Sequence, residues 1–317
     1  MGVIRTVLGD IPSDAFGMAL THEHIMCDFI GADKIDRTRY DRREVFEVML
    51  PFLVEIKELG VTGFVDCTPA FIGRDPLLLL NLSKATGIHI LTNTGLYKEP
   101  YLPKYAFEST VDELAEIWVS EIEEGVEDEI VRARWGRVER YPVKAGFIKI
   151  AVNPGRLLPV QDKIVRAAAR CSLSTEVAIV CHTGEGVAAL ELLKVVEQEG
   201  LDTNRLIVAH SDAIESLNYH AEILQRGAWV SYDGISETTV DRTLKLVDFI
   251  VSNGYEKQVL LSQDAGWYNV SEQGGGKIRG FSYIIKEFLP LLQREGYSSK
   301  LINKIFVENP SRAFEIK

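Results

Sequence analysis

Cysteine is scarce in this sequence of 317 residues, and its four cysteines are scattered without any Cys-x-x-Cys spacing. Cys67 and Cys181 lie within apolar runs, as is typical of small buried residues. The pattern argues against a disulfide-stabilised secreted protein and against a structural zinc site closed by cysteines. It favours reduced thiols and a cytoplasmic location.

Long apolar runs and an excess of basic residues are missing as well. No apolar run is long enough to cross a bilayer, and residues 1–14 have no basic start followed by an apolar stretch. Lysine and arginine total 35 against 46 aspartates and glutamates, which gives a formal net charge of -11. Because phosphate backbones select basic faces, we expect no nucleic acid as a partner. Because no apolar run is long enough, we expect no membrane as a partner either.

The sequence does contain a regular alternation of short apolar runs and longer segments with helical periodicity. The predicted strands are Met18–His22, Val61–Cys67, His89–Thr94, Ala145–Ala151, Val177–His182, Arg205–His210, Ala228–Asp233 and Gln258–Asp264. Helix candidates between them include Arg43–Leu59, Val111–Gly125, Gln161–Ser174, Val187–Glu199, Thr239–Asn253 and Phe281–Glu295. Continuous apolar strands separated by helices predict a parallel sheet that is buried on both faces.

Eight such units without a break in composition favour an α/β fold of the TIM (β/α)8 barrel type, with residues 1–317 forming a single domain. The alternative is an open doubly wound sheet. That fold would need a glycine-rich phosphate turn after the first strand, and Thr21-His22-Glu23-His24 is not such a turn. Two segments depart from the alternation: Glu121–Tyr141, predicted as a solvated extension of a helix, and Gly266–Gly280, predicted as a long loop.

Polar residues that end the apolar runs are the candidate functional residues, because a TIM barrel carries its active site at the carboxyl ends of its strands. They are His22 and His24 after the first strand, and His182, His210 and Asp264 at the ends of the fifth, sixth and eighth; Lys149, within the fourth strand, is added to them. Four of the six histidines in the chain belong to this set. The other two are predicted to be structural (His89) and exposed on a helix (His220).

His22 and His24 lie two residues apart, so their side chains point to the same face of a strand and can chelate one metal ion. A surface or core pair without a metal is the alternative. His182 and His210 end successive strands and form a second imidazole pair, although each alone is compatible with a hydrogen-bonded core histidine. Asp264 ends an apolar strand, where a carboxylate needs a partner or a metal.

Lys149 places an ammonium group inside the otherwise apolar run Ala145–Ala151. Buried lysines are rare and lose their charge readily. A neutral amine can add carbon dioxide to give a carbamate, an anion whose two oxygens could bridge two cations. The alternatives are a lysine that extends to solvent or one that pairs with a carboxylate. Beside the histidines, the carbamate is the favoured interpretation.

The motifs Thr21-His22-Glu23-His24, Ala145-Gly146-Phe147-Ile148-Lys149, Cys181-His182-Thr183 and His210-Ser211-Asp212, with the strand ending in Asp264, resemble the phosphotriesterase family of the amidohydrolase superfamily. The resemblance extends from about Thr6 to Pro310. It implies that His22, His24 and Asp264 hold one divalent metal and that His182 and His210 hold the other. It also implies that carboxylated Lys149 and a hydroxide bridge the two metals.

This arrangement implies a hydrolase in which the bridging hydroxide attacks a lactone or ester and Asp264 accepts its proton. Zinc is the default metal, and cobalt, manganese or iron fit the same ligands. The alternatives are a phosphotriesterase with the same metal site and a non-catalytic binding protein on the same scaffold. A homodimer is left open.

The substrate is less clearly marked. The sequence Asp233-Gly234-Ile235 after the seventh strand resembles relatives that open sugar lactones bearing a phosphate, and Gln263 differs from the His or Asn often found in the family. Tyr97 resembles a family tyrosine beside the metals. Lys277 and Arg279 follow three glycines in the last loop, where they could bind an anionic group of the substrate, or remain solvated.

Overall fold

Parallel strands alternating with helices make up most of the structure, a computed structural model that describes residues 2–317. Its strands are β1 (Val3–Thr6), β2 (Gly9–Pro12), β3 (Ala19–Cys27), β4 (Gly63–Asp66), β5 (His89–Leu91), β6 (Asn93–Thr94), β7 (Phe147–Ala151), β8 (Ile179–His182), β9 (Leu206–Ala209), β10 (Trp229–Tyr232), β11 (Val259–Leu261) and β12 (Gly266–Asn269). Its α-helices are α1 (Arg42–Glu58), α2 (Pro76–Thr86), α3 (Lys104–Glu108), α4 (Val111–Glu123), α5 (Glu129–Trp135), α6 (Pro159–Thr175), α7 (Gly186–Gln198), α8 (Leu217–Gln225), α9 (Val240–Ser252), α10 (Leu289–Arg294), α11 (Ser299–Asn303) and α12 (Asn309–Phe314).

The strands form two parallel sheets and one antiparallel hairpin. One sheet has the order β11-β10-β9-β8-β7-β6, the other has the order β12-β3-β4-β5, and β1 pairs with β2 in the hairpin. Only Thr92 separates β5 from β6, so one chain segment contributes to both sheets. At the other edge the Asp264 amide donates to the His22 carbonyl at 3.0 Å, and the His24 amide donates to the Ala265 carbonyl at 3.0 Å.

The predicted alternation of strands and helices is confirmed. Each of the eight predicted apolar runs contains an observed parallel strand, although most strands are shorter than the runs. The first is the exception, because β3 continues to Cys27. Asp75 begins α2 by accepting hydrogen bonds from the Leu77 and Leu78 amides, and Gly87 ends it with a positive φ of 67°. None of the described helices is long and apolar enough to cross a membrane.

Strand alternation divides the apolar side chains into two cores. Ile148 and Ile150 of β7 pack outward into the larger core shared with the helices. Phe147 of β7 and Val180 of β8 point the other way, into a smaller inner core. Successive side chains of a strand face opposite sides, so Lys149 and His182 follow Phe147 and Val180 on the inner face. The alternation therefore directs these two polar residues to the same space.

Two expectations about segments outside the strands hold only in part. Residues 133–140 are exposed, as predicted for Glu121–Tyr141, but Glu121 and Glu129 are buried in ion pairs with the buried Arg74. The segment Gly266–Gly280 is not a loop throughout, because it begins with β12, which pairs with β3 in parallel. In both cases the partners lie far away in sequence, so local composition does not reveal them.

His220 was predicted to be exposed and is instead fully buried on α8. Its ring nitrogens lie 3.0 Å from the Tyr232 hydroxyl and 3.0 Å from the Ile214 carbonyl oxygen. These two hydrogen bonds satisfy both nitrogens, so the imidazole can be buried at little cost.

Candidate active site

The ends of the strands enclose a cavity of about 210 Å³ at the carboxyl edge of the sheets. All six residues predicted to bind metal line it, together with Tyr97. The remaining lining residues are Cys27, Phe29, Cys67, Pro69, Ile72 and Trp267. The structure therefore brings together the predicted ligands, which are separated by up to 242 positions in the sequence.

His22, His24 and Asp264 form one group whose ligand atoms lie within 4.8 Å of one another. Asp264 Oδ1 is 3.0 Å from His24 Nε2 and 4.0 Å from His22 Nε2. Imidazole nitrogens and a carboxylate oxygen at such spacing are suitable donors for zinc and neighbouring divalent metals.

A second group with the same spacing contains His22, His210 and Asp233. Asp233 is fully buried. Its Oδ2 lies 2.5 Å from His22 Nδ1, and its Oδ1 lies 3.2 Å from His210 Nδ1. His182 belongs to neither group, but its ring centroid is 4.4 Å from that of His210. Together the two groups form a candidate binuclear metal site.

Lys149 is buried within this site, and its neighbour is an imidazole rather than a carboxylate. Nζ of Lys149 lies 3.1 Å from His22 Nε2, and no carboxylate within residues 2–317 forms an ion pair with it. An ammonium without a counter-ion is costly to bury.

His182 is held by two residues of the loop that follows β6. The Tyr97 hydroxyl lies 3.2 Å from His182 Nδ1, and Lys98 Nζ lies 2.9 Å from His182 Nε2. Burial lowers the pKa of Lys98 and raises the pKa of Tyr97. Tyr97 is therefore beside the candidate metal ligands, as the resemblance implied, and Lys98 adds a cation that was not predicted.

The surroundings of His22, His182 and Asp264 favour the protonation states that metal binding requires, whereas the neighbouring Asp233 raises the pKa of His210 above its usual value. Burial and the charge of Lys149 lower the pKa of His22 to about 4, so its ring is neutral near pH 7. Burial also lowers the pKa of His182. Burial opposes ionisation of Asp264, but the neighbouring His24 outweighs it and holds the pKa of this carboxyl below its usual value. Neutral imidazoles and an ionised carboxylate are the metal-binding forms.

Two of the predicted ligands have backbone conformations that residues other than glycine rarely adopt. His210 has φ of 57° and Asp264 has φ of 47°, in the left-handed region. Such residues cost about 1–3 kcal/mol each and persist only where the surrounding structure holds them. The backbone amides of both are bound, because the His210 amide donates to Asp233 Oδ1 and the Asp264 amide donates to the His22 carbonyl.

Glu23, which lies between the two histidines of β3, holds the segment around Asp264. Its Oε1 accepts from Ser262 Oγ at 2.8 Å and from the Gln263 amide at 3.0 Å. Its Oε2 accepts from the Ala265 amide at 2.6 Å. Burial raises the pKa of Glu23 to about 7 despite these donors. Glu23 thus fixes the residues on both sides of Asp264.

Thr68 holds the ring of His24 in a similar way. Its Oγ1 lies 2.8 Å from His24 Nδ1, on the opposite side of the ring from Asp264. Asp66 in turn accepts hydrogen bonds from the Thr68 and Ile25 amides at 3.0 Å and 2.8 Å. The end of β4 therefore orients a ligand carried by β3.

A wider cleft of about 500 Å³ opens beside Asp264, and Lys277 and Arg279 line it. Both side chains are exposed. The Arg279 backbone pairs with Gly266, and its guanidinium donates to the carbonyl oxygens of Gln263 and Asp264. Arg279 is therefore attached to the backbone of a candidate ligand, whereas Lys277 forms no ion pair with the described residues.

The family model for the phosphotriesterase family matches residues 2–314, nearly the whole chain. The chain belongs to the phosphotriesterase family of metal-dependent hydrolases. It is 26% identical over 306 residues to the phosphotriesterase homology protein of Escherichia coli, covering 95% of this chain and 99% of that protein.

Two further relatives carry names that describe an activity. The aryldialkylphosphatase of Saccharolobus solfataricus is 26% identical over 315 residues, covering 96% of each chain. The phospho-furanose lactonase of Mycoplasmopsis synoviae is 29% identical over 335 residues, covering 99% of this chain and 92% of that protein. The family therefore contains both lactonases and phosphotriesterases at similar distances from this chain.

The structure adds four site residues that the sequence did not single out as such: Asp233, Lys98, Glu23 and Thr68. Asp233 could have been found, because it ends an apolar strand in the same way as Asp264. Glu23 could also have been found as a carboxylate between two candidate ligands. Lys98 and Thr68 lie in loops with no distinctive pattern, and only the fold brings them to the histidines.

Proposed function

We propose that the parallel strands close into a single (β/α)8 barrel domain that carries a two-metal hydrolytic site. Two backbone hydrogen bonds support closure: the Asp264 amide donates to the His22 carbonyl of β3, and the His24 amide of β3 donates to the Ala265 carbonyl. In this proposal His22, His24 and Asp264 would hold one divalent cation, and His182 and His210 would hold the other. Lys149, carboxylated on Nζ, would supply a further anionic ligand, and its lack of a carboxylate partner supports that role.

The chain's own residues account for several requirements of hydrolysis. Divalent cations, when bound, would polarise the substrate carbonyl and lower the pKa of a water. The ionised carboxylate of Asp264 can accept the proton of the attacking water and return it to the leaving group. The Tyr97 hydroxyl and the Lys98 ammonium border the same cavity and can stabilise negative charge on the substrate.

The substrate class we propose is a small lactone that bears a phosphate. The observation that carries this proposal is the cationic wall of Lys277 and Arg279 beside Asp264, in a chain whose net charge is -11. A phosphate bound there would leave the lactone carbonyl to reach the metal ligands. Relatives named phospho-furanose lactonase agree with this substrate class.

Lys277→Ala tests this proposal more cleanly than a change at Arg279, because Arg279 also binds the backbone of Asp264. We expect KM for a phosphorylated γ-lactone to rise about tenfold, as for a lost charge-assisted contact, with kcat unchanged. KM for the same lactone without phosphate should not change. Lys300→Ala, an exposed lysine on α11, is the matched control. Equal effects of Lys277→Ala on both lactones would contradict the phosphate site.

The second candidate function is hydrolysis of a neutral organophosphate triester. It is favoured by an apolar side of the cavity, where the Phe29 and Trp267 rings lie 6.2 Å apart and Ile72 is adjacent. Such a wall would suit an aryl leaving group. An assay of the parent enzyme on a neutral aryl dialkyl phosphate distinguishes the two functions, because a neutral triester carries no charge for Lys277 to bind.

A further inference from the structure

Asp233 lies at a position from which one side chain contacts a histidine of each half of the candidate metal site. Its Oδ2 is 2.5 Å from His22 Nδ1, and its Oδ1 is 3.2 Å from His210 Nδ1. Oδ1 also accepts a hydrogen bond from the His210 backbone amide at 2.8 Å. The carboxylate is completely buried, so water does not compete for these contacts.

We infer that Asp233 is not a metal ligand but a positioning residue. It sets the tautomers of His22 and His210, and so acts on both halves of the candidate metal site. This inference rests on the proposed two-metal site. An ionised carboxylate only accepts hydrogen bonds, so each Nδ1 facing it must carry a proton. The Nε2 lone pairs of His22 and His210 are then free to bind metal. Such outer carboxylates fix the orientation of metal-bound histidines.

The two oxygens of Asp233 are not equivalent, which gives the inference a specific consequence. Oδ1 accepts a hydrogen bond from the His210 amide and lies 3.2 Å from the His210 ring nitrogen, whereas Oδ2 lies 2.5 Å from the His22 ring nitrogen. In Asp233→Asn the amide oxygen should occupy the Oδ1 position, because a backbone N–H such as that of His210 can only donate. The new NH2 group then faces His22 Nδ1 and requires it to be unprotonated. His22 must move its proton to Nε2, where metal would bind.

The substitution by asparagine should therefore damage one half of the site, and the substitution by alanine should damage both. Thr68→Val provides a matched single-site comparison, because His24 is the only candidate metal ligand that the Thr68 hydroxyl contacts. Loss of such an outer hydrogen bond weakens metal binding by about 10- to 100-fold.

The experiment follows zinc retained by the purified holoenzyme during dialysis against increasing concentrations of a chelator. A His24→Ala protein, which lacks the first half-site, identifies the zinc held by His210. We expect Asp233→Asn and Thr68→Val to release one zinc about 10- to 100-fold more readily while the His210 zinc is unaffected. Asp233→Ala should release both. Retention of both zincs by Asp233→Asn at parental chelator concentrations would overturn the inference, as would equal weakening of both.

Nitrogen-15 NMR of labelled histidines provides a reading that is independent of substrate and of zinc content. In the parent holoenzyme, Nδ1 of His22 and His210 should be protonated, whereas direct metal binding between these nitrogens and Asp233 would leave them unprotonated and refute the inference. In Asp233→Asn only the His22 tautomer should change. Because this variant keeps the shape of the side chain, it remains informative if Asp233→Ala does not fold. A protein with the expected tautomers and two zincs but no lactonase activity would disprove the substrate proposal alone.

Discussion

Replacing Glu23 by glutamine should disturb the metal site through the backbone that carries Asp264. The carboxylate accepts from Ser262 Oγ, the Gln263 amide and the Ala265 amide, at 2.8, 3.0 and 2.6 Å. Glutamine offers one oxygen and one NH2 group. In either orientation of that amide, a buried backbone N–H of Gln263 or Ala265 faces another donor.

The size of the effect follows from that one unsatisfied group. A buried donor without a partner costs about 1–3 kcal/mol, offset in part because the neutral glutamine is easier to bury than a carboxylate. We expect the free energy of unfolding to fall by about 1–2 kcal/mol. A shift of Asp264 by about 1 Å would lower kcat/KM by about 100-fold.

Chemical denaturation and kinetics of the zinc-loaded enzyme measure the two effects. Glu58→Gln, at an exposed position of α1, controls for the loss of one negative charge and should change neither. If Glu23→Gln keeps its unfolding free energy within about 0.5 kcal/mol of the parent and retains its kcat/KM, Glu23 does not hold Asp264.

Three further predictions concern residues around the site. Asp75 begins α2 and pairs with Arg42, and although burial opposes ionisation its cationic partners lower its pKa. Asp75→Asn should lower the free energy of unfolding by about 1–3 kcal/mol near pH 7. Denaturation at each pH should show this difference in unfolding free energy shrinking as the pH falls below 3.8 through the lower folded-state pKa of Asp75. A difference that does not depend on pH would contradict this. Lys98→Met removes a cation from His182 Nε2 and should raise the affinity of the zinc held by His182 by at least about threefold in chelator competition, while Lys104→Met at an exposed position should not. His220→Leu leaves the buried Tyr232 hydroxyl without its partner and should lower the unfolding free energy by about 1–3 kcal/mol, so an unchanged denaturation midpoint would argue against this pairing.

The gathering of the candidate ligands around one cavity could be predicted because its signal is local. An apolar run that ends in a histidine or an aspartate, or that contains a lysine, is visible within seven residues, and strand alternation then decides which face each side chain takes. Lys149 is the clearest case, since Phe147 two residues before it lies in the inner core.

The residues that support the ligands could not be predicted from local patterns. Thr68 contacts His24 across 44 positions, and Lys98 contacts His182 across 84. Local composition does not reveal buried charges either. Glu121 lies in a charged segment that looks solvated, but it pairs with Arg74, 47 positions away. The burial of His220 could not be predicted because the groups that hydrogen-bond to its ring lie outside its own helix.

The attachment of Arg279 to Asp264 has a consequence for how substrate preference could evolve in this protein. The guanidinium that faces the cleft also donates to the Gln263 and Asp264 carbonyl oxygens, and the Arg279 backbone pairs with Gly266. If Arg279 binds substrate as proposed, a mutation at position 279 should change substrate selectivity and also disturb the backbone that carries Asp264. Lys277, two residues earlier, has no such attachment. Adaptive change, natural or engineered, should accumulate at position 277 first and reach position 279 only after a compensating substitution elsewhere.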